Sequence, residues 1–143
     1  IHKALDFKNK TVSQIMVPIS KVLRLSIDTP YLELLTQIKV APFSRIPVYE
    51  EKIDNIAGLL FVKDLFKFDR RWRENRELTI REILRPALFV SGEEHLEDLL
   101  QKIRETRIHL AIVIDEQKKP AGAVTLDDIM EELFGEFKEE ESL

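Results

Sequence analysis

Two stretches of the chain read almost alike. Thr11–Pro18 is TVSQIMVP and Thr79–Pro86 is TIREILRP, both T-[V/I]-x-x-I-[M/L]-x-P. Internal self-similarity constrains a fold more tightly than composition, because each copy must build the same supersecondary unit. Threonine at the start of each stretch suits a helix cap, and the closing proline disfavours helical geometry in the residue before it. Each copy therefore predicts a short capped helix that stops abruptly.

The rest of each copy also corresponds. VLRL and ALFV read as short strands, and PYLELLTQIKV and EHLEDLLQKIRET carry leucine and isoleucine at helical spacing. Pro30 suits a first helical turn, and Ser91-x-x-Glu94 reads as a capping box. RIPVYE and LAIVIDE are β-rich runs, followed by the turn-like EKIDN and EQKKP. IAGLLFVKDLF and PAGAVTLDDIMEELF then align Gly58 with Gly122, Asp64 with Asp128 and, after small gaps, Phe66 with Phe134. The expected layout is a lead-in at 1–10, a first unit at 11–68, a connector at 69–78, a second unit at 79–137 and an acidic tail at 138–143. The fold class is α/β (α+β): two β-α-β-β-α units packed about a pseudo-twofold axis.

Composition removes several functions. The chain has 143 residues, enough to bury roughly two-thirds of the surface its unfolded form exposes. Its net charge of −4 offers no overall attraction to nucleic acid or anionic lipid. Arg70, Arg71, Arg73 and Arg76 around Trp72 form a basic stretch, read here as an inter-repeat linker whose tryptophan packs locally. Cysteine is absent, which excludes disulfides, thiolate zinc sites and a cysteine nucleophile, and fits a cytosolic address. No apolar run reaches the roughly 20 residues that span a bilayer. Because the sequence begins at Ile1, a longer parent chain is expected.

The chemistry-bearing residues are few. His2, His95 and His109 are scattered, so neither a zinc site nor a nucleophile–base pair is expected, and no catalytic residue is assigned. His109 reads as a partly buried structural residue. Asp128, Glu131 and Glu132 share a helical face, but one helix rarely converges enough oxygens for a hard cation; no metal ligand is assigned. Leu126, Ile129, Met130, Leu133, Phe134 and Phe137 form one apolar face of the last helix. Thr125 and Asp128 stand three apart where a strand-like run becomes helical, and spacing alone makes them an N-cap and its N3 partner.

The tandem unit, with its opening T-V-x-x-I-M-x-P and its closing G-h-h-T-x-x-D (h apolar), resembles a pair of CBS motifs. MVP at Met16–Pro18, SRIPVYE at Ser44–Glu50 and TLDDIMEELFGE at Thr125–Glu136 are together similar to the CBS pair of the CorC/HlyC group. These are haemolysin-like proteins associated with magnesium and cobalt efflux and related to the cyclin-M transporters. The resemblance implies a cytoplasmic regulatory module of a membrane protein, without enzymatic activity. It would bind ATP or another adenine nucleotide, with or without Mg²⁺, in the cleft between the repeats, and couple that to divalent-cation transport. It also implies a homodimer formed through the CBS helices, a membrane transport domain in the parent chain and no nucleic-acid partner. The alternative is a ligand-free dimerisation scaffold.

Carried onto this sequence, the resemblance gives Asp128 to the ribose hydroxyls, with Thr125 beside it. Phe43, Ile46 and Pro47 would flank the base or ribose, Ser44 and Arg45 would donate to phosphate, and Val17 would contribute through its backbone. A helix start at Thr125 also offers N–H groups and a positive dipole end for phosphate. Ile19 stands where many bacterial relatives carry arginine, so its neighbourhood is not expected to hold phosphate. Phe61 stands where the second repeat has Thr125, which predicts one working site rather than two.

Overall fold

The first lead segment closes its own turn: the Gln14 side chain accepts the Thr11 backbone N–H at 2.8 Å, and Val12–Ile15 (α1) follows. The computed structural model describes residues 7–141, with side chains through Gly135. Phe137 and the acidic tail at 138–143 therefore lie outside the described side chains, and residues 1–6 of the lead-in lie outside the described chain. After α1 come Val17–Pro18 (β1), Leu25–Ser26 (β2), Tyr31–Lys39 (α2), Arg45–Tyr49 (β3), Ile56–Phe61 (β4) and Leu65–Glu74 (α3). Leu88–Ser91 (β5), Leu96–Thr106 (α4), Leu110–Ile114 (β6), Pro120–Thr125 (β7) and Leu126–Glu141 (α5) complete the order. Tight 3₁₀ turns stand at Ile19–Lys21, Val62–Asp64 and Ile80–Ile83.

The chain divides into two compact units. One is continuous, Leu23–Ala87; the other joins the segment ending at Val22 to the segment beginning at Leu88. The units and the sequence repeats are thus different partitions, because each lead segment serves the other repeat's sheet. In the discontinuous unit β1 adds antiparallel to β7, pairing Val17 with Ala123 and Pro18 with Gly122. The sheet order is β1-β7-β6-β5, with β5 and β6 parallel. Strand β6, LAIVI, is an uninterrupted apolar run, as expected of a strand covered on both faces. Val12, Leu99, Ile103 and Ile129 fill the core beside it.

In the continuous unit the order is β2-β3-β4. Arg85, the residue before the second lead proline, exchanges both backbone hydrogen bonds with Leu59, at 2.8 and 2.9 Å. Strand β2 covers only Val48 and Tyr49 of β3, so Pro47 interrupts no ladder on that side. Leu34, Ile46, Leu60 and Phe68 make its core.

Four local expectations change. The second lead segment winds as a 3₁₀ turn at Ile80–Ile83 rather than an α-helix. Pro30 stands at the N-cap of α2 with an extended ψ of 142°, one position before the first helical turn. Ser91 ends β5 instead of capping α4: its hydroxyl accepts the Glu93 N–H at 3.2 Å, a local turn that competes with capping, and His95 takes the N-cap position. The expected connector at 69–78 is helical as far as Glu74, because Leu65, Phe68 and Trp72 recur at helical spacing and outweigh the arginines between them. Trp72 packs against Tyr31 at 4.8 Å between ring centroids, and Arg76 covers the indole at 4.8 Å. The Tyr31 hydroxyl donates to Asp69 at 2.7 Å, and burial together with that bond pushes its phenol up to about 12.

Two glycines give a contrasting test. A Cβ on Gly122 would lie 2.5 Å from the Val17 carbonyl oxygen and 2.7 Å from the Met16 sulfur, so Gly122→Ala must push β1 off β7. It should lose about 1–3 kcal/mol in urea unfolding, the range for overpacking. A Cβ on Gly135, within α5, would meet nothing within 4 Å, and Gly135→Ala should gain about 1 kcal/mol.

Candidate functional site

The chain turns from β7 into α5 at Thr125, and this junction is closed by two reciprocal bonds. The Thr125 N–H donates to Asp128 Oδ2 at 2.9 Å, and the Asp128 N–H donates to Thr125 Oγ1 at 3.1 Å. A capping box is therefore present. It uses one carboxylate oxygen, and no ion pair to Asp128 occurs among the described residues. The outer oxygen, Oδ1, remains an acceptor on a half-buried side chain.

The helix start is less suited to phosphate than spacing suggests. The Leu126 N–H already donates to the His109 carbonyl at 2.9 Å, and the Asp128 N–H is taken by Thr125. Asp127 and Asp128 both occupy the first turn, where their charge offsets the helix dipole. Hydroxyl donors fit this place better than an anion. His109 is half-buried and tied to α5 through its backbone, as its place beside β6 predicts.

Around the junction, Val17 is 37% exposed and its carbonyl lies over Gly122. A cavity of about 340 Å³ opens beside Asp128, lined by Lys10, Gln14, Ile15, Glu131 and Glu132. Lys10 is ion-paired with Glu132, so that carboxylate is engaged within the protein. The apolar face of α5 splits: Ile129 is fully buried and Leu126 and Leu133 pack on the core, whereas Phe134 is 62% exposed.

Val17, Thr125 and Asp128 thus come together in the discontinuous unit. The remaining predicted residues lie in the continuous one. Phe43 and Ser44 are exposed, and the Ser44 carbonyl accepts the Val62 N–H at 2.9 Å, the counterpart of the His109–Leu126 bond. Arg45 stacks its guanidinium on the Phe61 ring at 4.9 Å. Ile46 gives its side chain to the core and Pro47 is buried in β3. Arg85 is not marked by the sequence beyond its position before a repeated proline.

Comparison with known proteins places this arrangement. The CBS domain model matches residues 80–135. A CBS domain of a bacterial CNNM/CorC family Mg²⁺ transporter, solved in complex with ATP, is 32% identical and covers 94% of each chain with a TM-score of 0.84. This chain belongs to the CBS domains of the CorC/HlyC family. It is also 34% identical over 140 residues to Hemolysin C of Brachyspira hyodysenteriae, covering 98% of this chain and 50% of that protein. To the magnesium and cobalt efflux protein CorC of Pasteurella multocida it is 35% identical, covering 98% of this chain and 46% of that protein. The chain spans about half the length of these curated relatives. Among its described residues, no helix is long and apolar enough to cross a membrane.

Within this CBS chain the first repeat departs from the second. Phe61 replaces Thr125 and is 7% exposed. Asp64 keeps its carboxylate, but Arg85 holds both oxygens, Nε to Oδ2 and Nη2 to Oδ1, each at 2.8 Å. Arg85 also covers the Phe61 ring at 4.2 Å.

The hydrogen bond from Arg85 holds the Asp64 carboxyl below its ordinary value of 3.8. A carboxylate depressed on folding stabilises the protein above its unfolded value, and that contribution is lost as pH falls through the folded value. The stability difference between wild type and Arg85→Gln should therefore stay constant near neutrality and shrink once pH drops below 3.8. Urea unfolding at a series of pH values checks this.

Proposed function

We propose that this chain is an adenine-nucleotide-sensing regulatory module of a CorC/HlyC-type membrane transport protein, acting on the cytoplasmic face. Asp128 accepts the ribose hydroxyls, with Thr125 fixing its rotamer and the Val17 backbone beside it. Phe43, Ser44, Arg45, Ile46 and Pro47 complete the site: Phe43 and Pro47 against the base or ribose, Ile46 through its backbone, Ser44 and Arg45 toward phosphate. The observation that carries this reading is the outer oxygen of Asp128, an acceptor left over after the cap is made. The ATP complex of the CNNM/CorC relative supports the same ligand class.

The physical logic favours ATP with its phosphates directed away from α5. Asp127 and Asp128 repel phosphate, so its charge is met by Arg45, whose planar fork suits phosphate oxygens, or by Mg²⁺. Nucleotide binding then shifts the balance between two arrangements of a homodimer formed through the CBS helices. The shift can be only as large as the nucleotide's differential affinity for the two. Phe66, 81% exposed on α3, and Phe134 on α5 are apolar surface available to such a dimer. The attached transport domain reads that balance and passes Mg²⁺ or Co²⁺ accordingly. The role is one of binding rather than catalysis.

Calorimetry on the nucleotide-stripped chain, with ATP in the presence and absence of Mg²⁺, should show saturable binding near one per chain. Asp128→Asn sharpens the assignment. Its amide oxygen can still accept the Thr125 N–H, but its outer group becomes a donor that cannot accept a ribose hydroxyl. Melting should change little while affinity falls about ten- to a hundredfold, equivalent to roughly 1.5–3 kcal/mol. Unchanged affinity in folded Asp128→Asn would remove Asp128 from the ligand. No heat with any adenine nucleotide would leave a dimerisation scaffold.

A further inference from the structure

The two units carry the same local frame with different side chains. In one, Val17 pairs with Ala123 beside Gly122, and Leu126 is tied to His109. In the other, Arg85 pairs with Leu59 beside Gly58, whose Cβ would lie 2.8 Å from the Arg85 oxygen, and Val62 is tied to Ser44. Thr125 and Asp128 thus correspond to Phe61 and Asp64, and Val17 to Arg85. Two of the differing positions, Val17/Arg85 and Thr125/Phe61, flank the aspartate.

Val17 has no polar side chain, and Asp128 keeps an open oxygen. Arg85 instead forks onto both oxygens of Asp64 while its guanidinium lies on the Phe61 ring. A planar group on an aromatic face with two donors on one carboxylate is the set of contacts a nucleoside would need there. A ribose would offer neutral hydroxyls, whereas the guanidinium makes charge-assisted bonds, roughly twice as strong, and is tethered in place. We propose that Arg85 is a resident occupant of the first repeat's ligand position and that it holds the chain to one nucleotide. The inference about stoichiometry rests on the Thr125–Asp128 reading above.

An ordinary exposed ion pair would contribute little and exclude nothing. The test separates the two. In Arg85→Val, which gives this unit the residue of the other and leaves the core intact, the ¹³C resonance of the Asp64 carboxyl should titrate higher than in wild type. An unmoved resonance overturns the occupancy. Arg85→Val/Phe61→Thr, titrated with ATP, should bind about two per chain against one for wild type, and adding Asp64→Ala should return it to one. A folded double variant that still binds one, with Asp64 released, overturns the claim that Arg85 limits stoichiometry; if Phe61→Thr prevents folding, Arg85→Val alone must show a second, weaker event. If wild type binds no nucleotide, the Thr125–Asp128 reading fails by itself, and the resonance of Asp64 in Arg85→Val decides whether Arg85 is its occupant.

Discussion

Everything near the candidate site depends on a backbone crossing that only glycine permits. The Val17 carbonyl passes so close to Gly122 that no side chain fits between them, and the Arg85 carbonyl does the same over Gly58. Each crossing welds a lead segment onto a strand that belongs, in sequence, to the other repeat. From there the geometry is forced. A strand pinned at its third residue delivers its last residue, and the first turn of the following helix, to one place.

In the proposed site a cap and a binding group are the same residues. A carboxylate has more acceptor capacity than a backbone N–H can use. Once Thr125 orients Asp128, the unused oxygen is held on a rigid element instead of a mobile loop, the condition under which a polar contact contributes specificity. The acidic first turn favours hydroxyl donors over anions, so in the proposed reading the phosphate end of a nucleotide finds its cations elsewhere.

Much of this was legible in the sequence because it is written in side-chain type and spacing. The repeat, the strand and helix order, the Thr125–Asp128 cap and the odd Phe61 all appear there. What could not be read were choices made by the backbone or by exposed charge. Strand exchange is a matter of which carbonyl meets which N–H, and Val17 and Arg85 carry no sign of their partners. In the sequence Arg85 is one arginine among many, since a charged side chain states its reach but not its destination. The helix through Trp72 is masked in the sequence by its arginines, although Leu65 and Phe68 carry its apolar spacing. Ser91 closes a turn rather than capping a helix, because a hydroxyl that can cap a helix can equally close the turn before it. The five residues from Phe43 to Pro47 are assigned only through resemblance: Phe43 and Ser44 are exposed, Arg45 stacks on Phe61, and Ile46 and Pro47 are buried, so they share no local signature.

The discontinuous unit has a consequence for how the chain is made. Residues 23–87 are contiguous, so the ribosome completes that unit in one stretch. The other must wait: Val17 is made before that unit and its partner Ala123 only after it. Until then β1 has no sheet to join, and closing so long a loop is slow even though its entropic cost grows only with the logarithm of length. The order of synthesis therefore gives the half bearing Arg85 a finished structure first, while the half bearing Asp128 follows once the segments on both sides of that first half are present to meet.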